Sequence, residues 1–159
     1  MTISTFNQFI NEKREFTRTA GVAIIFDNEL LLVHPTNSSW QKSTLGIPKG
    51  HLEEGEDPLE GALRELFEET GIRLDASQLD PEIETVDLYQ DRERNGQLLY
   101  FVCKINSLSE IGLDSSKVDK SQLQLEEVDW AGFVSAKDAY PKITRSQLII
   151  LDRHLTLTK

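Results

Sequence analysis

The chain has 159 residues, with 17 Lys and Arg against 27 Asp and Glu for a net charge of −10, and its length suits a single domain over 1–159. Its one cysteine, Cys103, excludes an internal disulfide and leaves a zinc finger without ligands; this suits a reducing cytosol, so a cytoplasmic location is expected. Apolar runs such as Gly21–Phe26 and Leu30–Val33 fall far short of the roughly 18 residues of a membrane helix, and the N-terminus lacks the basic patch and apolar stretch of a secretory signal.

In chain order, Phe6, Phe9, Ile10 and Phe16 have loosely helical spacing, which predicts a short packed helix over 5–16. Thr19–Phe26 and Glu29–His34 are β-branched and apolar, and Asp27-Asn28 between them makes a hairpin. Pro35–Thr44 is polar and reads as a surface loop. Leu45–His51 carries glycines and a proline that interrupt any regular element. Pro58–Thr70 is the clearest helix: Asp57 is the N-cap, Pro58 fills the first turn, Glu60 completes a capping box, and Gly71 ends it. Leu59, Ala62, Leu63, Leu66 and Phe67 form its buried stripe, with Arg64, Glu65, Glu68 and Glu69 opposite. Glu82–Tyr89 and Gln97–Ile105 flank Asn95-Gly96, a strong turn signal that predicts a second hairpin. Leu123–Val134 reads as a strand around Trp130. Thr144 caps a last helix, Arg145–Leu155, with Leu148, Ile149, Leu151, Asp152 and Leu155 partly inward. His154 reads as a solvated helix residue and Cys103 as a small buried hydrophobe. Strands interleaved with helices predict an α/β sandwich on a mixed sheet.

Charge is concentrated in one place. Glu53–Glu69 holds eight acids against Arg64 alone, which is −7 in 17 residues and leaves −3 for the other 142. Glu65, Glu68 and Glu69 share one helical face at i, i+3 and i+4, where like charges repel by a few tenths of a kcal/mol per pair. A hard divalent cation turns such repulsion into binding, because Mg²⁺ takes oxygen ligands and bridges carboxylates to phosphates. The plain alternative is a solvated charged surface, a common fate of helical glutamates. His34, His51 and His154 are scattered, which disfavours a histidine metal site. Neither a Walker loop nor a G-x-G-x-x-G turn is present.

Residues 50–72, GHLEEGEDPLEGALRELFEETGI, match the Nudix box G-x5-E-x7-R-E-U-x-E-E-x-G-U at Gly50, Glu56, Arg64, Glu65, Leu66, Glu68, Glu69, Gly71 and Ile72. The chain therefore resembles the Nudix hydrolase family, MutT-like proteins included. The resemblance implies an α/β/α sandwich and a metal-dependent enzyme that cleaves phosphoric anhydride bonds in a nucleoside diphosphate linked to another group. It implies Mg²⁺ or Mn²⁺ held by Glu65, Glu68, Glu69 and the backbone carbonyl of Lys49. It also implies Glu65 as the proton acceptor, Arg64 as the group that orients a carboxylate, and Glu56 in support. Many relatives carry another glutamate six residues before a late Trp. Here that position is Gln124, so either Glu126 or Glu127 substitutes, or the helix and waters suffice. The family's Trp ahead of the box loop is replaced by Leu45.

The P-K-G-H run at Pro48–His51 resembles the loop of asymmetric diadenosine tetraphosphate hydrolases, which also tend to carry a tyrosine 16 to 18 residues after the box. Tyr89 stands 17 after Ile72. The expected substrate is thus a small nucleotide, a dinucleoside polyphosphate such as diadenosine tetraphosphate, bound by Lys49, Gly50, His51 and Tyr89. Tyr89 has the alternative of an ordinary core aromatic. Alternatives for function are hydrolysis of nucleoside triphosphates or of RNA 5′ ends, or a non-catalytic nucleotide-sensing module. The acidic balance and absence of a basic stripe argue against other nucleic-acid partners. No membrane partner is expected, and the oligomeric state is left open.

Overall fold

The computed structural model describes residues 16–157; the helix expected over 5–16 lies almost wholly outside them. Six strands form one mixed sheet: β1 (Thr17–Phe26), β2 (Glu29–Pro35), β3 (Lys49–His51), β4 (Glu84–Gln90), β5 (Glu93–Lys104) and β6 (Val128–Ser135). The spatial order is β4-β5-β1-β2-β6, with β3 paired to β1. β1 and β5 run parallel through the middle, Thr17 opposite Gly96 and Ile25 opposite Lys104, and the other pairs are antiparallel. The helices are α1 (Pro58–Thr70), the one-turn α2 (Ala136–Ala139) and α3 (Leu148–His154).

Alternation along β1 divides the core between the two sheet faces. Val22 and Ile24 pack with Ala62 and Leu66 of α1 on one face. Ala23 and Ile25 pack with Tyr100, Ile150 and Leu151 on the other, beneath α3. Leu66, Ile150 and Leu151 are fully buried, each worth roughly 1.5–3 kcal/mol relative to exposure. This is the expected α/β/α sandwich.

The first hairpin turns at Asp27 and Asn28, both at positive φ (51° and 57°), the backbone that matches strand twist. The second does not turn at Asn95-Gly96. Its turn is Asp91-Arg92, at φ 52° and 70°. Asn95 is instead the extra residue of a bulge between the pairs Leu88–Gly96 and Tyr89–Arg94. Gly96 is a glycine because β1 runs close by: a Cβ there would sit 2.7 Å from the Thr17 carbonyl oxygen. The glycine reports close backbone approach rather than a turn. The Leu45–His51 stretch, expected to interrupt regular structure, yields the short β3. The strand predicted from Leu123 begins only at Val128, because Glu127 N–H and Val128 N–H both donate to the Gln124 carbonyl and curl the chain there.

Helix α1 has the expected bounds. The Asp57 carboxylate accepts from Glu60 N–H at 3.2 Å, while the return bond from Asp57 N–H to the Glu60 side chain is not formed, so half of the predicted box is present. Gly71 closes the helix at φ 73°. Its buried side is rotated from the predicted stripe. Leu59 and Leu63 are only partly buried, and Phe67 is exposed beneath the Arg73 guanidinium, 4.0 Å from its ring centre. Glu65 and Glu69 are buried instead. The last helix also differs: Arg145–Gln147 is a 3-10 turn, Thr144 makes no side-chain cap, Ile150, Leu151 and Leu155 are buried, and Ile149 is exposed. His154 is not solvated; it pairs with Glu84 at 2.9 Å, and its side chain is 13% exposed. Cys103 is fully buried, as expected, and burial pushes its thiol up to about 11.

Candidate active site

An open cavity of about 800 Å³ lies where β3, the exposed edge of α1, β1, β5 and the turn before α3 meet. One wall carries the acids. At its base Arg64 acts as a hub. Its Nε and Nη2 donate to the two oxygens of Glu56 at 2.8 and 3.0 Å. Its Nη1 donates to Glu65 Oε1 at 3.0 Å and Glu68 Oε2 at 3.1 Å, and Nη2 reaches the His51 carbonyl at 3.3 Å. This bidentate grip, with the Glu53 N–H at 3.0 Å, holds the Glu56 carboxyl down near 2. Arg64 thereby ties the box loop to the helix through Glu56 and His51.

Higher on the wall the balance is different. Burial pushes the Glu65 carboxyl upward against the pull of Arg64, and Glu68 and Glu127 add to the rise. Burial first, then the charge of Glu65, pushes Glu69 up to about 8, with Lys49 opposing and Glu127 contributing. The hydrogen-bond donor to Glu69 is the Lys49 N–H, 3.2 Å from Oε1. Sheet register explains this contact. Val22 N–H bonds the Pro48 carbonyl and Leu52 N–H bonds the Arg18 carbonyl, so Lys49 between them turns its N–H and its carbonyl away from β1, toward the acids. Gly50 is a glycine for room: a Cβ there would collide with the Glu65 carboxyl.

The structure thus brings Lys49, Gly50, His51, Arg64, Glu65, Glu68, Glu69 and Tyr89 to one cavity, with Glu56 behind Arg64. Glu65 and Glu69 do not lie opposite the buried side of α1, as the helix pattern suggests, but at its margin. Tyr89 is 64% exposed at the cavity rim, which excludes the core reading. Of the two open candidates, Glu127 lines the cavity and Glu126 does not. Linear spacing from Trp130 misses it because the chain curls at Gln124 and β6 carries a bulge between its Val128 and Trp130 pairings. Thr17, Thr19, Thr144, Ser146 and Gln147 also line the cavity. For these the sequence carries little signal beyond a glutamine set against the apolar run Leu148–Leu151.

A divalent cation fits the chemistry of this wall. Glu65, Glu69 and Glu127 are hard oxygen donors on this wall, and burial, with the neighbouring carboxylates, raises the proton affinity of Glu65 and Glu69, which a bound cation would relieve. Among the described residues the acids share the wall without three of them standing at metal-ligating spacing; Glu68 is turned to Arg64.

Comparison with known proteins places this geometry. The family model described as NUDIX domain matches residues 15–147. A methanol dehydrogenase activator from Bacillus methanolicus is 43% identical over 67 residues, which are 40% of this chain and 36% of that protein. The chain thus spans little more than a third of that curated relative. Among solved structures, a MutT NUDIX hydrolase from Burkholderia pseudomallei superposes with TM-score 0.66 at 19% identity, over 89% of this chain and 99% of that one. An Ap4A hydrolase from C. elegans does so with TM-score 0.59 at 22% identity, over 86% and 93%. At these identities the structures share the fold.

Proposed function

The chain belongs to the Nudix family of hydrolases, enzymes that act on pyrophosphate bonds, and on that premise we propose that it hydrolyses a dinucleoside polyphosphate in a metal-dependent reaction at the acidic wall. The observation that carries this reading is the pairing of buried, under-compensated carboxylates with an exposed tyrosine on one cavity. A bound Mg²⁺ or Mn²⁺ supplies charge neutralisation on the pyrophosphate oxygens and lowers the pKa of water. Glu65 and Glu69 with the Lys49 carbonyl would hold it, and Glu68 and Glu127, which line the same cavity, would close on it as further ligands. Glu65 is the proton acceptor for the attacking water, its carboxylate steered by Arg64 at 3.0 Å and seated in the space that Gly50 leaves. Glu56 keeps Arg64 aimed by its two-point grip. Lys49 and His51 meet phosphate oxygens, the lysine as a point charge. The Tyr89 ring stacks on a nucleobase, as its exposed rim position suits.

The likeness of the Pro48–His51 loop and Tyr89 to those of asymmetric hydrolases makes cleavage off-centre the expected outcome. Incubation with Mg²⁺ and diadenosine tetraphosphate should yield ATP plus AMP. Two molecules of ADP would contradict off-centre attack. Turnover of triphosphorylated RNA or nucleoside triphosphates alone would replace this substrate class with another.

A further inference from the structure

The acidic wall opens onto two cavities. Lys49, Glu69 and Glu127 line both the main one and a smaller recess of about 300 Å³. Tyr89 lines only the first, while Pro35 and Thr44 line only the second. A phosphate chain laid across Lys49 and Glu69 therefore has space for a group at each of its ends. One end leads toward Tyr89 and the other toward the loop that Pro35 and Thr44 bracket.

That loop carries Trp40, which is 47% exposed and yet held in place. One face of its ring stacks on the fully buried His34 ring, with centroids 3.8 Å apart and planes 3° from parallel. Trp130 meets it edge-on at 5.7 Å, and His34 is itself fixed by Asp129 at 2.6 Å. Lys142 Nζ donates to the Trp40 carbonyl at 2.8 Å, and Thr44 Oγ1 donates to the carbonyl of the preceding residue, Ser39, at 3.2 Å. The ring thus stands one residue from a contact with the recess lining. Since a buried ring covers one face, the exposure falls on the other, and a ring already fixed loses little freedom when a planar group stacks on it.

The charge around this ring is opposite to that of the chain. Residues 35–46 and 139–149 are tied together by the bonds from Leu45 N–H to the Lys142 carbonyl, Thr144 N–H to the Leu45 carbonyl and Ser43 Oγ to the Pro141 carbonyl. They contain Lys42, Lys142 and Arg145 and no acid, in a chain of net charge −10. None of these three pairs with a carboxylate among the described residues, and Lys142 keeps two of its three donors. Cations alone would suit any anion. The flat, pre-stacked ring adds the need for a planar group, and the two together suit a nucleobase with its phosphates.

We infer that Trp40 stacks on the second base of a two-ended substrate, a dinucleoside polyphosphate, and that Lys42, Lys142 and Arg145 meet the phosphates next to that base. The inference rests on the reading of the acidic wall as the cleaving centre with Tyr89 at the first base, and it assigns the far end.

Diadenosine tetraphosphate and adenosine 5′-tetraphosphate carry the same phosphate chain and differ by one nucleoside. Their kcat/KM values with Mg²⁺ are compared for the unaltered protein, Trp40→Ala and Trp40→Phe. The unaltered protein should favour the dinucleotide. Trp40→Ala should lower that ratio by about tenfold, through KM rather than kcat, as the loss of one stacked base does, and Trp40→Phe should restore most of it. An unchanged ratio in folded Trp40→Ala overturns the inference and leaves the dinucleotide hydrolase standing. Should Trp40→Ala fold poorly, the tryptophan emission of the unaltered protein decides, read on mixing with Mg²⁺ and either nucleotide before turnover. Stronger quenching by the dinucleotide supports the inference, and equal or absent quenching overturns it. If neither nucleotide is cleaved, the dinucleotide reading falls, while the emission change on mixing still judges Trp40.

Discussion

The polar cluster that ties α3 to the sheet and the acidic wall of the cleft are both largely withdrawn from water, but they are balanced in opposite ways. In the first, Glu84 accepts from the Tyr100 hydroxyl at 3.0 Å and pairs with His154 at 2.9 Å. Arg153 Nη1 donates to the Tyr100 hydroxyl and the Thr85 carbonyl, each at 3.1 Å. Every group in it has a partner of the right kind, and the cluster simply holds α3 on β4 and β5. In the second, Glu69 has one N–H and two carboxylate neighbours. A closed cluster stabilises the fold. An open one opposes it and persists because something else binds there.

The contrast is tested most severely by Glu69→Gln. Turnover should fall at least ~10²-fold, while the metal-free protein at pH 7 melts at a higher temperature because the buried site no longer has to take up a proton on folding; a lower melting temperature would show that the wall is structural. Gly50→Ala comes next. It should push Glu65 from its seat and cut turnover by roughly tenfold or more, with little cost in stability because the carboxyl ends a flexible side chain that can swing aside, read by parallel kinetics and thermal melts. In the closed cluster the signs reverse. Glu84→Ala should cost about 1–3 kcal/mol of stability by stranding Tyr100 and Arg153, with turnover below the melting temperature left within about twofold. A loss of activity equal to that of Glu69→Gln would erase the distinction.

The gentlest probe is pH. Burial pushes the Glu69 carboxyl up to about 8 in the folded, metal-free chain, from an ordinary value of 4.5. Its neutral form is the one the fold prefers, so its favourable contribution is complete below pH 4.5 and is lost as pH rises toward 8. Glu56 runs the other way, contributing above 4.5 and losing its effect as pH falls toward 2. Mg²⁺ should therefore raise the melting temperature more at pH 8 than at pH 5, with proton release on binding measurable in buffers of different ionisation enthalpy. An equal shift at both values would mean that the cation does not meet Glu69.

Helix α1 was legible because its signals are local: Asp57 and Pro58 start it, Gly71 stops it, and the box residues follow from its period. The acids were legible as a set, but their burial was not, since the side of a helix that packs depends on what it packs against. That is also why Phe67 reads as core and is exposed. The turn at Asp91-Arg92 was hidden by a better local candidate, Asn95-Gly96, whose glycine answers to β1, a strand about 75 residues away. Glu127, Gln147 and His154 lack any local mark. Each acquires its surroundings from segments distant in sequence: Glu127 from α1, Gln147 from Ile47, and His154 from Glu84.

The place of β1 at the centre of the sheet has a kinetic corollary. It is joined to β5 by a parallel ladder running from Thr17–Gly96 to Ile25–Lys104, and such long-range pairing requires a large loop to close first. The cleft is lined by residues of β1, β3, α1, β5 and the 144–147 turn, so no fragment ending before that turn holds a finished pocket. Acquisition of nucleotide affinity should accordingly be among the last events of refolding, arriving with sheet closure rather than with the early helix that carries the acids.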